Sequence, residues 1–83
     1  MVIPLSHTAS GDQGRIVWIA SDPRQKHRLM NQGFLPEETV TCEWKLPKGL
    51  LCFYRVGGTT IALRRKTANE IFVELLKKSG LPH

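Results

Sequence analysis

Leu51-Cys52-Phe53-Tyr54-Arg55-Val56-Gly57-Gly58-Thr59-Thr60-Ile61-Ala62-Leu63-Arg64 is the stretch whose pattern decides the fold. Two runs rich in aliphatic, aromatic and β-branched residues flank a Gly-Gly pair. Both glycines can take the positive φ that a two-residue hairpin turn requires. The reading is a hairpin, Leu51–Val56 out and Thr59–Arg64 back, with Ile61 and Leu63 facing inward. A lone hairpin is marginal in water, so further strands must complete it.

Upstream, Thr39–Lys45 alternates, with Val40, Cys42 and Trp44 on one face and Thr41, Glu43 and Lys45 on the other. That is the period of a half-buried strand. Pro47-Lys48-Gly49 turns the chain from there into the hairpin. Residues 15–21, rich in Ile, Val and Trp, follow the turn Ser10-Gly11-Asp12-Gln13-Gly14 and read as the first strand. Their alternation is imperfect. Either Val17 and Ile19 face the core, or Ile16 and Trp18 do, and a bulge would bury Ile16 and Ile19 together.

Between these strands, Ser21-Asp22-Pro23 opens a helix. Asp22 can accept from the free N–H groups of the first turn, Pro23 suits the first helical position, and Gln25 stands where a capping box places it. The helix should run to about Gln32, with Gly33 as its left-handed stop. Leu29 and Met30 form its apolar stripe, while Arg24, Lys26, His27 and Arg28 keep the rest wet and basic. Phe34-Leu35-Pro36-Glu37-Glu38 is a turn with two apolar anchors. Residues 66–70 read as a single helical turn, 71–75 as the last strand and 79–83 as a frayed tail.

Five short strands cannot form a stable flat sheet in so small a chain, because both edges would stay open. Curling hides the edges and makes one core. The expected fold is therefore mainly β: a small, five-stranded, SH3-like barrel with one short α-helix between the first and second core strands. With 83 residues, a single domain over 1–83 is expected. A domain of this size favours a docking surface over a deep cleft.

Hydrophobic residues at 41% and charged residues at 23% give globular composition. No apolar run approaches the roughly 20 residues of a membrane span. The start Met1-Val2-Ile3-Pro4-Leu5 lacks the features of a signal peptide. A cytoplasmic location is expected. Cys42 and Cys52 are then buried free thiols, outside any C-x-x-C pair. Twelve Lys and Arg against seven Asp and Glu give a net charge of +5, which suits an acidic partner. The basic residues are scattered, and do not interleave with aromatics along one strand pair as a nucleic-acid surface would. His7, His27 and His83 are far apart in sequence, and no catalytic constellation can be assembled, so the chain is read as a non-enzyme.

Four segments, in order, resemble the FeoA family of ferrous-iron transport. They are Gly14-Arg15-Ile16-Val17-Trp18-Ile19, then Arg28-Leu29-Met30-Asn31-Gln32-Gly33-Phe34-Leu35-Pro36, then Pro47-Lys48-Gly49, and finally Gly58-Thr59-Thr60-Ile61-Ala62-Leu63-Arg64. The resemblance covers residues 5–74. It implies an SH3-like barrel that serves a FeoB-type membrane transporter from the cytoplasm, through the transporter's GTP-binding domain. It also implies transition-metal binding, iron included, although no ligand set or other cofactor site can be read from these residues. The same barrel resembles the C-terminal domain of iron-dependent repressors, so a stand-alone relative of that domain, or a nucleic-acid-binding barrel, is the alternative. Glu37 stands where the family has Gly, which implies a differently built turn. Leu50-Leu51 replaces a more polar turn, and Trp18 and Trp44 stand where members are more often polar.

The candidate partner-binding residues are Arg24, Arg28, Leu29 and Met30 on the helix, Arg64 and Arg65 after the hairpin, and Trp18 and Trp44. Leu29 also has a packing role, since so short a helix needs an anchor. Alternation puts Trp44 with the core residues, while sheet twist would leave it partly exposed. An exposed Trp is a frequent binding anchor.

Overall fold

In the computed structural model, which describes residues 1–77, helix α1 (Pro23–Asn31) begins and ends as its local chemistry dictates. The Gln25 amide donates to Asp22 Oδ1 at 2.9 Å. At the other end Gly33, at φ 109°, donates to the Met30 carbonyl, and Phe34 donates to the Leu29 carbonyl. This is a Schellman stop, in which a residue beyond the left-handed glycine packs back on the last turn. Here Leu29 (1% exposed) and Phe34 (0%) meet in the core. The return half of the capping box is not made. Gln25 Nε2 instead reaches Thr67 Oγ1 at 3.3 Å.

The described residues form six strands: β1 (Val2–Pro4), β2 (Gln13–Ile19), β3 (Thr39–Lys45), β4 (Leu51–Val56), β5 (Thr59–Arg64) and β6 (Ile71–Lys77). They form one antiparallel sheet in the order β1-β6-β2-β3-β4-β5. The expected strand at 15–21 lies two residues earlier, the last strand extends to Lys77, and the helical turn α2 spans Arg65–Ala68. β1 is not among the five strands that the sequence pattern predicts. β1 has three residues and ends on Pro4, too short for alternation to register, and its pairing with β6 is wholly non-local. The tail expected at 79–83 lies outside the described residues.

The sheet curls about a core of Leu5, Ile16, Ile19, Leu29, Phe34, Val40, Cys42, Cys52, Tyr54, Val56, Leu63, Ala68, Ile71 and Val73. The 3₁₀ turn Leu5–His7 caps it: Leu5 is buried and its carbonyl accepts from Thr8 Oγ1 at 2.7 Å, while Ser6 bonds Asn69 of the segment after α2. Gly57 and Gly58, at φ 59° and 81°, make the expected hairpin turn. Gly14 is needed for a different reason. A Cβ there would lie 2.7 Å from Val73 Cγ2, so β2 and β6 approach as closely as they do only because that atom is missing.

Two bulges set which side chains face out. Between Ile16 and Trp18 the β2–β6 register shifts, burying both Ile16 and Ile19 and exposing Val17 and Trp18. The bulged alternative among the three sequence readings is the one realised. Between Cys42 and Trp44 the β3–β4 register shifts as well. Val40 and Cys42 stay inside, but Trp44 leaves the core face that alternation gave it. The 34–38 turn has one anchor, not two, since Phe34 is buried and Leu35 is exposed. Glu37 itself takes the left-handed conformation, at φ 76°, with its N–H on the Ile16 carbonyl at 2.7 Å.

Candidate docking surface

Each displaced tryptophan stacks on a phenylalanine of the neighbouring strand. Trp18 (58% exposed) lies on Phe72 of β6 with ring centres 5.2 Å apart. Trp44 (48% exposed) lies on Phe53 of β4 at 4.1 Å, nearly parallel. Stacking of this kind contributes about 0.5–1.5 kcal/mol beyond area burial. The two pairs sit on separate outer patches, so Trp18 and Trp44 do not form one site. Phe53 and Phe72 escaped the sequence reading, although their alternation with Cys52, Tyr54, Ile71 and Val73 marks both as outward-facing.

Two grooves flank the end of β5. One, of about 540 Å³, has Leu50 and Leu51 as its apolar lining and Arg64, Arg65 and Lys66 as its charged rim. The other, of about 390 Å³, lies between α1 and β5, with Gln25, Arg28 and Gln32 facing Ala62 and Arg64. Arg64 belongs to both. The fold thus brings together Arg28, Arg64 and Arg65 from three elements. Arg24 is exposed on the first turn of α1 but lines neither groove. Leu29 is 1% exposed and is an anchor of the helix, not a side chain available to a partner. Met30 is half-buried and packs against the same core.

Charge is distributed unevenly over this surface. The ion pairs of the described residues use Arg15, with Glu37 and Glu74, and Arg55, with Glu43. The hydrogen bond that Arg15 donates to Glu37, then the one it donates to Glu74, holds its guanidinium above the ordinary pKa. The Thr60 hydroxyl and then Arg55 hold the Glu43 carboxyl below its ordinary value. Among the described residues Arg28, Arg64, Arg65 and Lys66 take part in no ion pair. No Asp or Glu lines either groove.

The residues that could bear other chemistry are placed apart. Cys42 and Cys52 are in the core, and burial raises the Cys42 thiol above its ordinary pKa. A buried thiol held protonated is a poor nucleophile and a poor ligand. His7 and His27 are exposed on different elements. Among the described residues no three His, Cys, Asp or Glu side chains are grouped to hold a metal ion. The transition-metal binding implied by resemblance therefore finds no fitting donor set among those residues.

A curled antiparallel sheet of this order, with a helix in its β2–β3 connection, is an SH3-like fold. Residues 3–75 match the model of the FeoA domain, and the chain belongs to the FeoA family. It is 30% identical over 76 residues to the Fe(2+) transport protein A/Fe(2+) transporter FeoB fusion protein of Porphyromonas gingivalis. That match covers 92% of this chain but only 9% of the fusion protein's length. Among solved structures, an iron uptake regulatory protein, FeoA, is 30% identical, with 92% of this chain and all of that one covered at a TM-score of 0.83. The FeoA of Stenotrophomonas maltophilia, a prokaryotic SH3 domain protein complexed with zinc, is 26% identical, with 89% of each chain covered at a TM-score of 0.75. No helix among the described residues is long and apolar enough to cross a membrane.

Proposed function

We propose that this FeoA domain is a cytoplasmic, non-catalytic accessory of ferrous-iron uptake that docks onto a FeoB-type membrane transporter through the transporter's GTP-binding domain. The observation that carries this reading is the relative in which a FeoA-like segment and FeoB share one chain. Covalent linkage raises the effective concentration of two modules that work as neighbours. The basic, partly apolar surface around β5 gives such a domain something to dock with. Ferrous iron is the transporter's cargo in this scheme, and the domain acts on its transport without ligating it. Both thiols are buried, and burial holds that of Cys42 protonated, which favours a binding role over thiol chemistry.

Titration calorimetry of this chain with the GTP-binding domain of a FeoB-type transporter from the same cell tests the reading. Saturable one-to-one binding is expected, weakened by added salt. Absence of binding to any cytoplasmic segment of the transporter would overturn it.

A further inference from the structure

The sheet has two edges, and they differ in how they are defended. β1 is three residues long and closes on Pro4. A short edge strand ending in proline is a common safeguard against pairing with another chain. β5 is six residues long, contains no proline, and keeps an unbroken register with β4 from Val56↔Thr59 to Leu51↔Arg64. Because the two-residue turn makes Val56 and Thr59 a hydrogen-bonded pair, alternation points the backbone N–H and C=O of Thr60 and Ala62, and the N–H of Arg64, away from β4. Among the described residues those groups bond to no other segment. The groove of about 390 Å³ between α1 and β5 borders the second half of this strand, at Ala62, Leu63 and Arg64.

The same edge is bordered by Arg28, Arg64, Arg65 and Lys66, all exposed and outside the ion pairs of the described residues. Beyond its end lies the Leu50–Leu51 groove. We infer that β5 receives an extended, acidic segment of a partner protein, added to the sheet as a further strand, with carboxylates on these cations and one apolar side chain against Leu50 and Leu51. Main-chain bonds would give such an addition its affinity, and alternate side chains its specificity. The inference rests on the reading that the domain docks onto a protein partner. It adds which element docks and what chemistry it selects.

The test uses the isotope-labelled full chain and a synthetic peptide of alternating Glu and Val. On binding, the amide protons of Thr60, Ala62 and Arg64 should shift and become protected from exchange. Ala62→Pro removes an N–H that faces away from β4, so it should weaken binding about fivefold to tenfold, the equivalent of about one backbone hydrogen bond and its neighbours. As a second variant that leaves the backbone untouched, Arg28→Glu with Arg64→Glu should weaken binding at least as much. Shifts confined to the Trp18 or Trp44 patches, no shift at millimolar peptide in low salt, or binding of a single-stranded oligonucleotide in place of the peptide would each overturn the inference. The transporter reading is separable. If its GTP-binding domain binds wild-type and both variants equally, docking stands and strand addition falls. If it binds none while the peptide still protects β5, strand addition stands and the transporter reading falls.

Discussion

Gly14→Ala offers a direct test of the packing between β2 and β6. An added Cβ would stand 2.7 Å from Val73 Cγ2, 2.8 Å from Val73 Cβ and 3.4 Å from the Glu74 carbonyl oxygen. Carbon pairs prefer separations of about 3.5–4.0 Å, so something must yield by roughly 1 Å. Val73 is fully buried and pairs with both Ile16 and Ile3, so it has no free direction to move. Overpacking of this kind costs about 1–3 kcal/mol. Ala also restricts the unfolded chain, which offsets about 0.4–1 kcal/mol. The expected net loss is about 1–2 kcal/mol, a fall in Tm of about 5–15 °C for a domain of this size. Urea unfolding followed by tryptophan fluorescence, with thermal circular dichroism, would measure it. Adding Val73→Ala should recover part of the clash and no more, because Val73 Cβ remains in the way. The double variant should therefore cost less than the sum of the singles. A neutral or stabilising Gly14→Ala, as expected for a strand glycine with open space beside it, would refute the reasoning.

Gly33→Ala should also destabilise, by about 1–3 kcal/mol, but through strain at φ 109° and not collision, since Val56 is an ordinary 3.5 Å away. A measured cost near zero in urea unfolding would contradict the Schellman geometry. Both tryptophans should show red-shifted emission and ready quenching by acrylamide in the native protein, because both are about half exposed. Trp18→Ala and Trp44→Ala should each cost about 0.5–1.5 kcal/mol of stacking, with unfolding midpoints as the check. Stability should decline in alkali. Burial raises the Tyr54 phenol and the Cys42 thiol above their ordinary values, so the folded state holds protons that the unfolded chain gives up. The stability these groups contribute is whole below the unfolded pKa values, about 8.5 for the thiol and about 10 for the phenol, and falls as pH rises above them. Urea midpoints that rise between those values and pH 11 would be the wrong sign, and Tyr54→Phe should flatten the decline above about pH 10.

What could be read from sequence was what local chemistry determines. Asp22, Pro23 and Gly33 fix the helix through contacts within a few residues of themselves. Gly57 and Gly58 fix the hairpin the same way. The β2 bulge was legible only as one of three alternatives, because whether Trp18 or Ile19 enters the core depends on how β2 meets β6, some fifty residues downstream. Trp44 obeyed perfect alternation in the sequence and still left the core, as the β3–β4 register shifts just before it. Of the candidate surface, Arg28, Arg64 and Arg65 were visible as isolated charges. Their convergence was not, since it needs the α1 groove to form beside β5. Leu50 and Leu51 stood out as unusually apolar for a turn, and their groove gives that oddity a place.

β1 pairs only with β6, and the Leu75 amide donates to the Met1 carbonyl at 3.0 Å. Residues 1 and 75 are thus neighbours on adjacent strands. A short bridge between them, with new ends opened at the Gly57-Gly58 turn, would give a circularly permuted chain that keeps every strand pairing except Gln13↔Lys77. Equally, a tether to another protein at either position would grip the domain by the β1–β6 end of the sheet order, leaving the β5 strand at the other end unencumbered.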